Sequence, residues 1–408
     1  MDSLTQLTLG AAVGEAVLGK KIGNRAMVWG AFGGLLPDFD VLARFFTDPM
    51  TALAFHRGFM HSILFSIIMA FVLGYLVERL YETGLYRRKR YKAAVAFFIF
   101  SIYILLFLGL RMILSRSGAA PPGFIVGGIL IGLALGWFLW SSYLSKDLNE
   151  VYATRKEWVW LFFLSIFTHP ILDCFTVFGT QLLAPFSDYR VSWDNISVVD
   201  PGYTVPLFLG VLIASFISRN NKARRIANWT GIALSSAYML FTFYHKNQFN
   251  KIFEASLKKE GIQYKRYMSG PTILNNFLWL GVAEGDSAYY HGYYSFFDKK
   301  PVIKKFTTLP KHHERIEHLK DKREIKILKW FSKNYYNVIV RRDGHLQLND
   351  LRYGSFEEEL KDENDYIFKF ILTEKNGQLE VEESRGGGKI NGEALGKYFD
   401  RILGKNNG

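Results

Sequence analysis

Residues 117–145, SGAAPPGFIVGGILIGLALGWFLWSSYLS, contain no Asp, Glu, Lys or Arg. A run of this length fits a bilayer, where about 20 apolar residues suffice for one helical crossing. Residues 58–77 and 93–110 are also free of these four charged residue types, as are 201–218 and 226–244 apart from flanking basic positions, and 158–178 is apolar except for His169 and Asp173. The pattern predicts membrane helices at 59–77, 93–114, 123–144, 158–178, 205–218 and 227–245. Two shorter apolar stretches precede them. Residues 3–14 stop at Glu15, and 26–37 stop at Pro37-Asp38. They read as short or broken helices lining a cavity, because irregular backbone at membrane depth is tolerated only where protein or water covers it.

Charge then divides the chain. Residues 1–245 carry 21 Lys+Arg and 14 Asp+Glu, whereas 246–408 carry 29 and 23 in a much shorter length. The expected architecture is an α-helical polytopic membrane domain over 1–245, followed by a smaller α+β soluble domain over 246–408. In the second part, NVIVRRDGHLQLNDLR and IFKFILTEKNGQLEVEE place Asp343-Gly344 and Asn376-Gly377 between alternating runs. Both dipeptides suit two-residue hairpin turns. Helices are expected at 247–260, 311–334 and 392–403, and the aromatic segment 275–298 is expected to pack on the sheet or the membrane face. The single cysteine, Cys174, rules out an internal disulfide framework and a Cys-based zinc site.

The basic clusters Lys20/Lys21/Arg25, 79–92 and 219–225 follow the positive-inside rule if all three are cytoplasmic. The helices then alternate without conflict, the chain is a multi-pass cell-membrane protein, and the C-terminal domain is extracytoplasmic. The same distribution accounts for the net charge of +13 without nucleic acid, for which no recognition motif is present.

Ionisable residues are costly inside a membrane and mark function there. Three groups occur in the apolar half. GGLLPDFDV carries Asp38 and Asp40 just past a helix broken by Pro37. HRGFMHS carries His56 and His61 around a glycine. THPILDCFTVFGT carries His169 and Asp173 four apart, on one helix face. Solvated acids, interfacial histidines and a buried packing pair are the respective structural alternatives. Taken together, the groups fall toward one side of the expected topology. They supply nitrogen and oxygen but no thiolate, which suits Zn²⁺, Mn²⁺ or another divalent first-row ion, and spacing does not choose among them.

With DSLTQLTLGAAVGEAVLGKKIGNRAMVWGAFGGLLPDFDVL, HRGFMHS and THPILDCFTVFGT in view, the chain resembles the YdjM-like family of membrane-bound metal-dependent hydrolases. The resemblance is clearest over residues 1 to about 180, and the DLRYG segment fits longer members. It implies a bacterial inner-membrane protein, in some members under LexA control, with Asp38, Asp40, His56, His61, His169 and Asp173 as metal ligands. Many members carry a His after the first Thr, where this chain has Gln6.

The expected function is therefore metal-dependent hydrolysis of an ester, phosphoester or amide bond at the outer membrane face, with zinc or manganese as cofactor and a membrane lipid or lipid-linked substrate as partner. Glu15, in a small-residue helix, is a candidate general base, and Arg57 a candidate clamp for an anionic substrate. Helix packing and lipid contact are their structural alternatives. The competing function is a non-catalytic metal-binding regulator or scaffold presenting the C-terminal domain to a partner. A transporter would favour paired broken helices in symmetric halves, and neither PDFD nor HRGFMHS recurs in the second half.

Overall fold

The computed structural model describes residues 1–116, 123–354, 358, 360, 362–375, 377–385 and 392–405. It forms two compact units, one of Met1–Phe71 with Trp160–Gly408 and one of Val72–Val159. The chain begins with α1 (Ser3–Ile22) and α2 (Asn24–Leu35), which continues as a 3-10 run over Leu36–Phe45. After α3 (Pro49–Phe55) and a 3-10 turn at Phe59–His61 come α4 (Ile63–Glu82), α5 (Lys89–Arg116), α6 (Phe124–Leu139) and α7 (Arg155–Asp173). Helices α8 (Pro201–Phe216) and α9 (Lys222–Lys259) complete the helical half.

Four stretches among the described residues are long and apolar enough to cross a membrane: Asn24–Phe45, Ile63–Glu82, Lys89–Met112 and Phe124–Leu144. The segments expected at 158–178, 205–218 and 227–245 are largely helical but fall outside that set. α7 ends at Asp173, α8 is apolar but has only 16 residues, and α9 opens on Lys222, Arg224 and Arg225. Helix α1 passes Glu15 where a stop was expected, because Arg224 neutralises that carboxylate inside the fold. α9 runs unbroken through residue 245, so its 38 residues extend about 57 Å at 1.5 Å per residue.

Glycine sets the spacing of the first hairpin of helices. A Cβ on Gly10 would stand 2.3 Å from the carbonyl oxygen of Gly30, and one on Gly14 would stand 2.1 Å from that of Ala26. The α1 and α2 backbones therefore touch directly, as small residues permit in membrane helices. Gly23, at φ +64°, makes the turn between them. In the smaller unit, Gly128 and Gly132 of α6 receive the rings of Phe107 and Tyr103 from α5.

Beyond α9 lie two four-stranded antiparallel sheets, confirming the α+β class of this half. The first, in the order β1-β2-β3-β4, comprises Arg266–Pro271, Leu278–Glu284, Ala288–Ser295 and Phe306–Pro310. The aromatic segment 275–298 is thus the centre of a sheet, not a layer packed on one. Its alternation was hidden because nearly every residue of β2 and β3 is buried on both faces. The second sheet, β5-β6-β7-β8, comprises Tyr336–Val340, Leu346–Asp350, Phe368–Lys375 and Gln378–Arg385. Both expected hairpins are present, but only the second turns in two residues: Val340 pairs with Leu346 across the longer connection 341–345, whereas Lys375 pairs with Gln378. Gly344 and Gly377 take φ +86° and +76°, and Asn376 lies outside the described residues. The helix expected over 311–334 divides into a 3-10 run, His313–Leu319, and α10 (Arg323–Phe331), and α11 (Gly392–Ile402) follows the second sheet.

The C-terminal sheets share cores with the N-terminal half. Phe249, Phe253 and Leu257 of α9 pack with Trp279, Ala283 and Tyr294 of the first sheet. Met50 and Leu53 of α3, with Phe178 from the segment after α7, join Leu328, Phe331, Val338, Leu348 and Phe370. These packed contacts seat the second sheet against the chain segments that carry the ionisable groups.

Candidate metal centre

The segments that carry the His/Asp groups are held by local chemistry. Pro37 opens the 3-10 run that contains Asp38 and Asp40. Asp48 caps α3 by accepting from the Met50 and Thr51 amides at 3.0 and 2.9 Å, a standard way to satisfy free helix-end donors. α3 then stops at His56, and Arg57 takes φ +56°, a left-handed conformation unusual for a side chain of this size. Asp40 Oδ2 accepts from the Arg57 amide at 2.8 Å and helps to hold that conformation. Gly58 closes the turn, and His61 enters the fold fully buried just before α4. α7 supplies His169 and Asp173 from its last turn, on either side of Pro170, and both are buried.

These elements bring together atoms separated by more than 100 residues. His61 Nε2 lies 3.1 Å from His169 Nε2. Asp38 Oδ1 is 3.7 Å from His61 Nε2 and 3.4 Å from His169 Nε2, and Asp173 Oδ2 is 3.4 Å from each of the two nitrogens. Asp38 is the more open member, its side chain 22% exposed, while the other three side chains are fully buried.

The outer edges of the rings have partners of their own. His169 Nδ1 donates to the carbonyl oxygen of Gly34 at 2.5 Å, since a carbonyl only accepts. His61 Nδ1 faces Asp40 Oδ2 at 3.2 Å without an aligned hydrogen bond. Two ring nitrogens and two carboxylate oxygens then face one another on the inner side. Such a set of nitrogen and oxygen donors suits a divalent cation. Tetrahedral coordination at 2.0–2.1 Å places neighbouring ligand atoms about 3.3 Å apart, close to the five separations above. Asp38, His61 and His169 could hold a metal ion, each offering one ligand atom.

The other sequence candidates take different places. Asp40 and His56 do not join the facing atoms. His56 Nδ1 donates to Asp40 Oδ1 at 2.9 Å, and Asp40 in turn backs His61, because the short turn at 57–60 points His61 inward and leaves His56 behind it. Glu15 is not at the centre. It pairs with Arg224 Nε at 2.6 Å, nine residues along α1 from Gln6, which is about 13 Å of helix. The arginine was invisible as a partner in sequence because 209 residues separate the two. Arg57 is at the centre, beside Asp173. Its Nε lies 3.1 Å from Asp173 Oδ2, within ion-pair range though not aligned as a hydrogen bond, and its guanidinium also donates to Thr176 Oγ1 at 2.8 Å.

Gln6 takes up the place opened by its departure from the TH pattern. Its Nε2 donates to Asp173 Oδ1 at 3.0 Å and to the His169 carbonyl at 3.2 Å. The amino group of Met1 also contacts Asp173 Oδ1, and Ser3 Oγ donates to Asp38 Oδ2 at 3.1 Å. Sequence reading missed Ser3 and the Gly34 carbonyl. Only the close α1–α2 approach explains them.

A cavity of about 320 Å³ reaches His56 and Arg57, next to the cluster, and none of the four facing residues lines it. His56 and Arg57 form one part of its wall, Val177, Phe178 and Ile196 another, and the C-terminal half contributes Leu280, Arg352, Tyr353, Phe368 and Tyr398. Arg352 is bound to Asp350 through Nε at 2.9 Å and through its terminal nitrogen at 2.6 Å, and it donates to the Val177 carbonyl at 3.2 Å. The DLRYG segment therefore fastens the second sheet to the chain that leaves Asp173.

Comparison with known proteins assigns most of the helical half. The family model described as "YdjM inner membrane protein" matches residues 1–115 and 124–249. No curated protein and no solved structure matches the chain.

Proposed function

The chain belongs to the YdjM inner membrane protein family, and from that premise we propose that it is a membrane-embedded metal-dependent hydrolase with its centre at the outer membrane–water boundary. One observation carries the reading: two buried imidazole nitrogens and two carboxylate oxygens converge at 3.1–3.7 Å. Asp38, His61, His169 and Asp173 would hold the ion, which in a nitrogen–oxygen site without thiolate is zinc or manganese. Asp40 and the Gly34 carbonyl fix the ring orientations from behind, and His56 braces Asp40. A divalent ion in such a site supplies a Lewis acid that lowers the pKa of water. Arg57, held by Asp173 and Thr176, is placed to bind an anionic oxygen of the substrate. The C-terminal half walls the cavity and selects what enters. The positive-inside pattern of the basic clusters supports an extracytoplasmic position for that half, and the bond cleaved is an ester, phosphoester or amide of a lipid or lipid-linked substrate.

The test is metal analysis of the purified protein together with hydrolysis of a panel of ester, phosphoester and amide substrates, with and without chelator. Stoichiometric metal and chelator-sensitive turnover support the reading. A robust activity that persists in metal-free protein overturns it. Tight metal binding with no turnover on any substrate favours a non-catalytic regulator.

A further inference from the structure

The cavity beside the cluster has features that a hydrolase reading alone does not require. Its walls are mainly apolar, formed by side chains such as Val177, Ile196, Ile273, Leu280 and Phe368. Its volume of about 320 Å³ is at the small end of the ligand-site range. Tyr353 lines it, and the Tyr353 hydroxyl is buried with no hydrogen-bond partner. A buried hydroxyl left unpaired is costly, which points to a partner supplied from outside the chain.

Charge adds an independent pointer. Phe178, also in the wall, lies between two guanidinium groups, with Arg57 4.8 Å and Arg190 4.3 Å from its ring centroid. Arg57 has Asp173 as counter-ion. Arg190 does not line the cavity itself; it is buried behind Phe178, donates to the carbonyls of Phe331 and Phe178, lies over the rings of Phe178, Trp330 and Phe331, and has no carboxylate within ion-pair range among the described residues. A buried cation without a counter-ion favours a negative group nearby.

We propose that this cavity binds a phosphate ester of an apolar alcohol, with the phosphoryl group at Arg57 beside the cluster and the apolar chain along Ile196, Ile273 and Leu280. The proposal rests on the hydrolase reading and narrows it. Among esters, phosphoesters and amides, the phosphoester is the one that carries negative charge at the scissile centre, which the positive surroundings of the Phe178 wall favour. Hydrolysis of a monoester breaks the bond between phosphorus and the alcohol oxygen. Oxygen from water forms the new bond to phosphorus, and the departing alkoxide takes up a proton, giving free alcohol and inorganic phosphate.

The experiment uses the full chain in nanodiscs, with metal content measured on each sample. Binding of hexyl phosphate is compared with that of inorganic phosphate, hexanoate and hexanol. Hexyl phosphate should bind about tenfold or more tightly than each of the other three, since chain burial and charge recognition act together. Tyr353→Phe should weaken hexyl phosphate several-fold without lowering the melting temperature, a pattern that a structural hydroxyl would not give. Ile273→Trp and Val198→Trp, at the less buried part of the wall, should each remove the preference for hexyl phosphate over inorganic phosphate while metal content stays unchanged. Competition by phosphatidic acid in the disc would assign the ester to the bilayer, and its failure would assign it to the aqueous phase. Equal binding of hexanoate and hexyl phosphate, or a hexyl preference that survives both tryptophan variants, overturns the proposal. Because metal content and turnover of other esters are read separately, that result leaves the hydrolase reading standing, whereas chelator-insensitive turnover removes the hydrolase reading itself.

Discussion

His61 Nε2 and His169 Nε2 face each other at 3.1 Å across 108 residues of sequence. The other nitrogen of His169 donates to the Gly34 carbonyl, and that of His61 faces Asp40 at 3.2 Å. The two Nε2 atoms are thereby aimed at one point, and the consequences can be measured.

Replacement of a facing atom should be more damaging than replacement of its support. His61→Ala should lower metal affinity by at least about 100-fold, and Asp40→Asn by about 10–100-fold, the usual range for a group that orients a ligand. Titration of apo protein with a metal indicator gives the order, and equal losses would contradict the division of roles.

Asp173→Asn should suppress chelator-sensitive hydrolysis by orders of magnitude. It also leaves Arg57 without its carboxylate in a buried place, a loss that typically destabilises by about 3–5 kcal/mol. Removing the arginine charge as well, in Asp173→Asn/Arg57→Met, should recover much of the stability and none of the activity. Thermal melting and turnover on the two variants separate the effects.

Gly14→Val should act on the centre from a distance. Its Cβ would stand 2.1 Å from the Ala26 carbonyl oxygen, forcing α1 from α2 at a cost of about 1–3 kcal/mol. Since Gln6 and Gly34 reach the centre from these two helices, metal affinity should fall with it. A variant that melts lower but binds metal as tightly as the parent would show that the helix spacing does not set the site.

Stability should depend on pH through His291 in β3. Burial lowers its pKa from the ordinary value to about 3. The folded state thus prefers the neutral ring, so the contribution is full above the unfolded value of about 6.5 and is lost as pH falls toward 3. Between pH 7 and pH 5 the decline should be about 2 kcal/mol. His291→Leu should flatten that part of the profile, read by melting the full chain across the range.

A reporter fused after residue 260 should show the extracytoplasmic phenotype. The basis is the parity imposed by the basic clusters at 79–92 and 219–225. Activity of a cytoplasm-specific reporter at that point would reverse the topology and place the cavity on the inner face.

The sequence by itself determined the membrane class, the α+β character of the C-terminal half and the residue types of the centre. These signals are local: uncharged runs long enough for a bilayer, Asp-Gly and Asn-Gly between alternating residues, and His or Asp where apolar residues surround them. Tertiary structure decided which of these residues meet. Asp38, His61, His169 and Asp173 converge because α1 and α2 touch through glycine backbones and α7 ends at their junction, while Asp40 and His56 stand behind. For Glu15, a candidate base or packing acid in sequence, the fold supplies a partner, Arg224, from 209 residues away. The sheet at 266–310 escaped sequence reading because burial on both faces erases the period-two pattern. The cavity wall from Tyr353 and Phe368 was also beyond reach, since long-range packing, not local propensity, places one element's side chains beside another's.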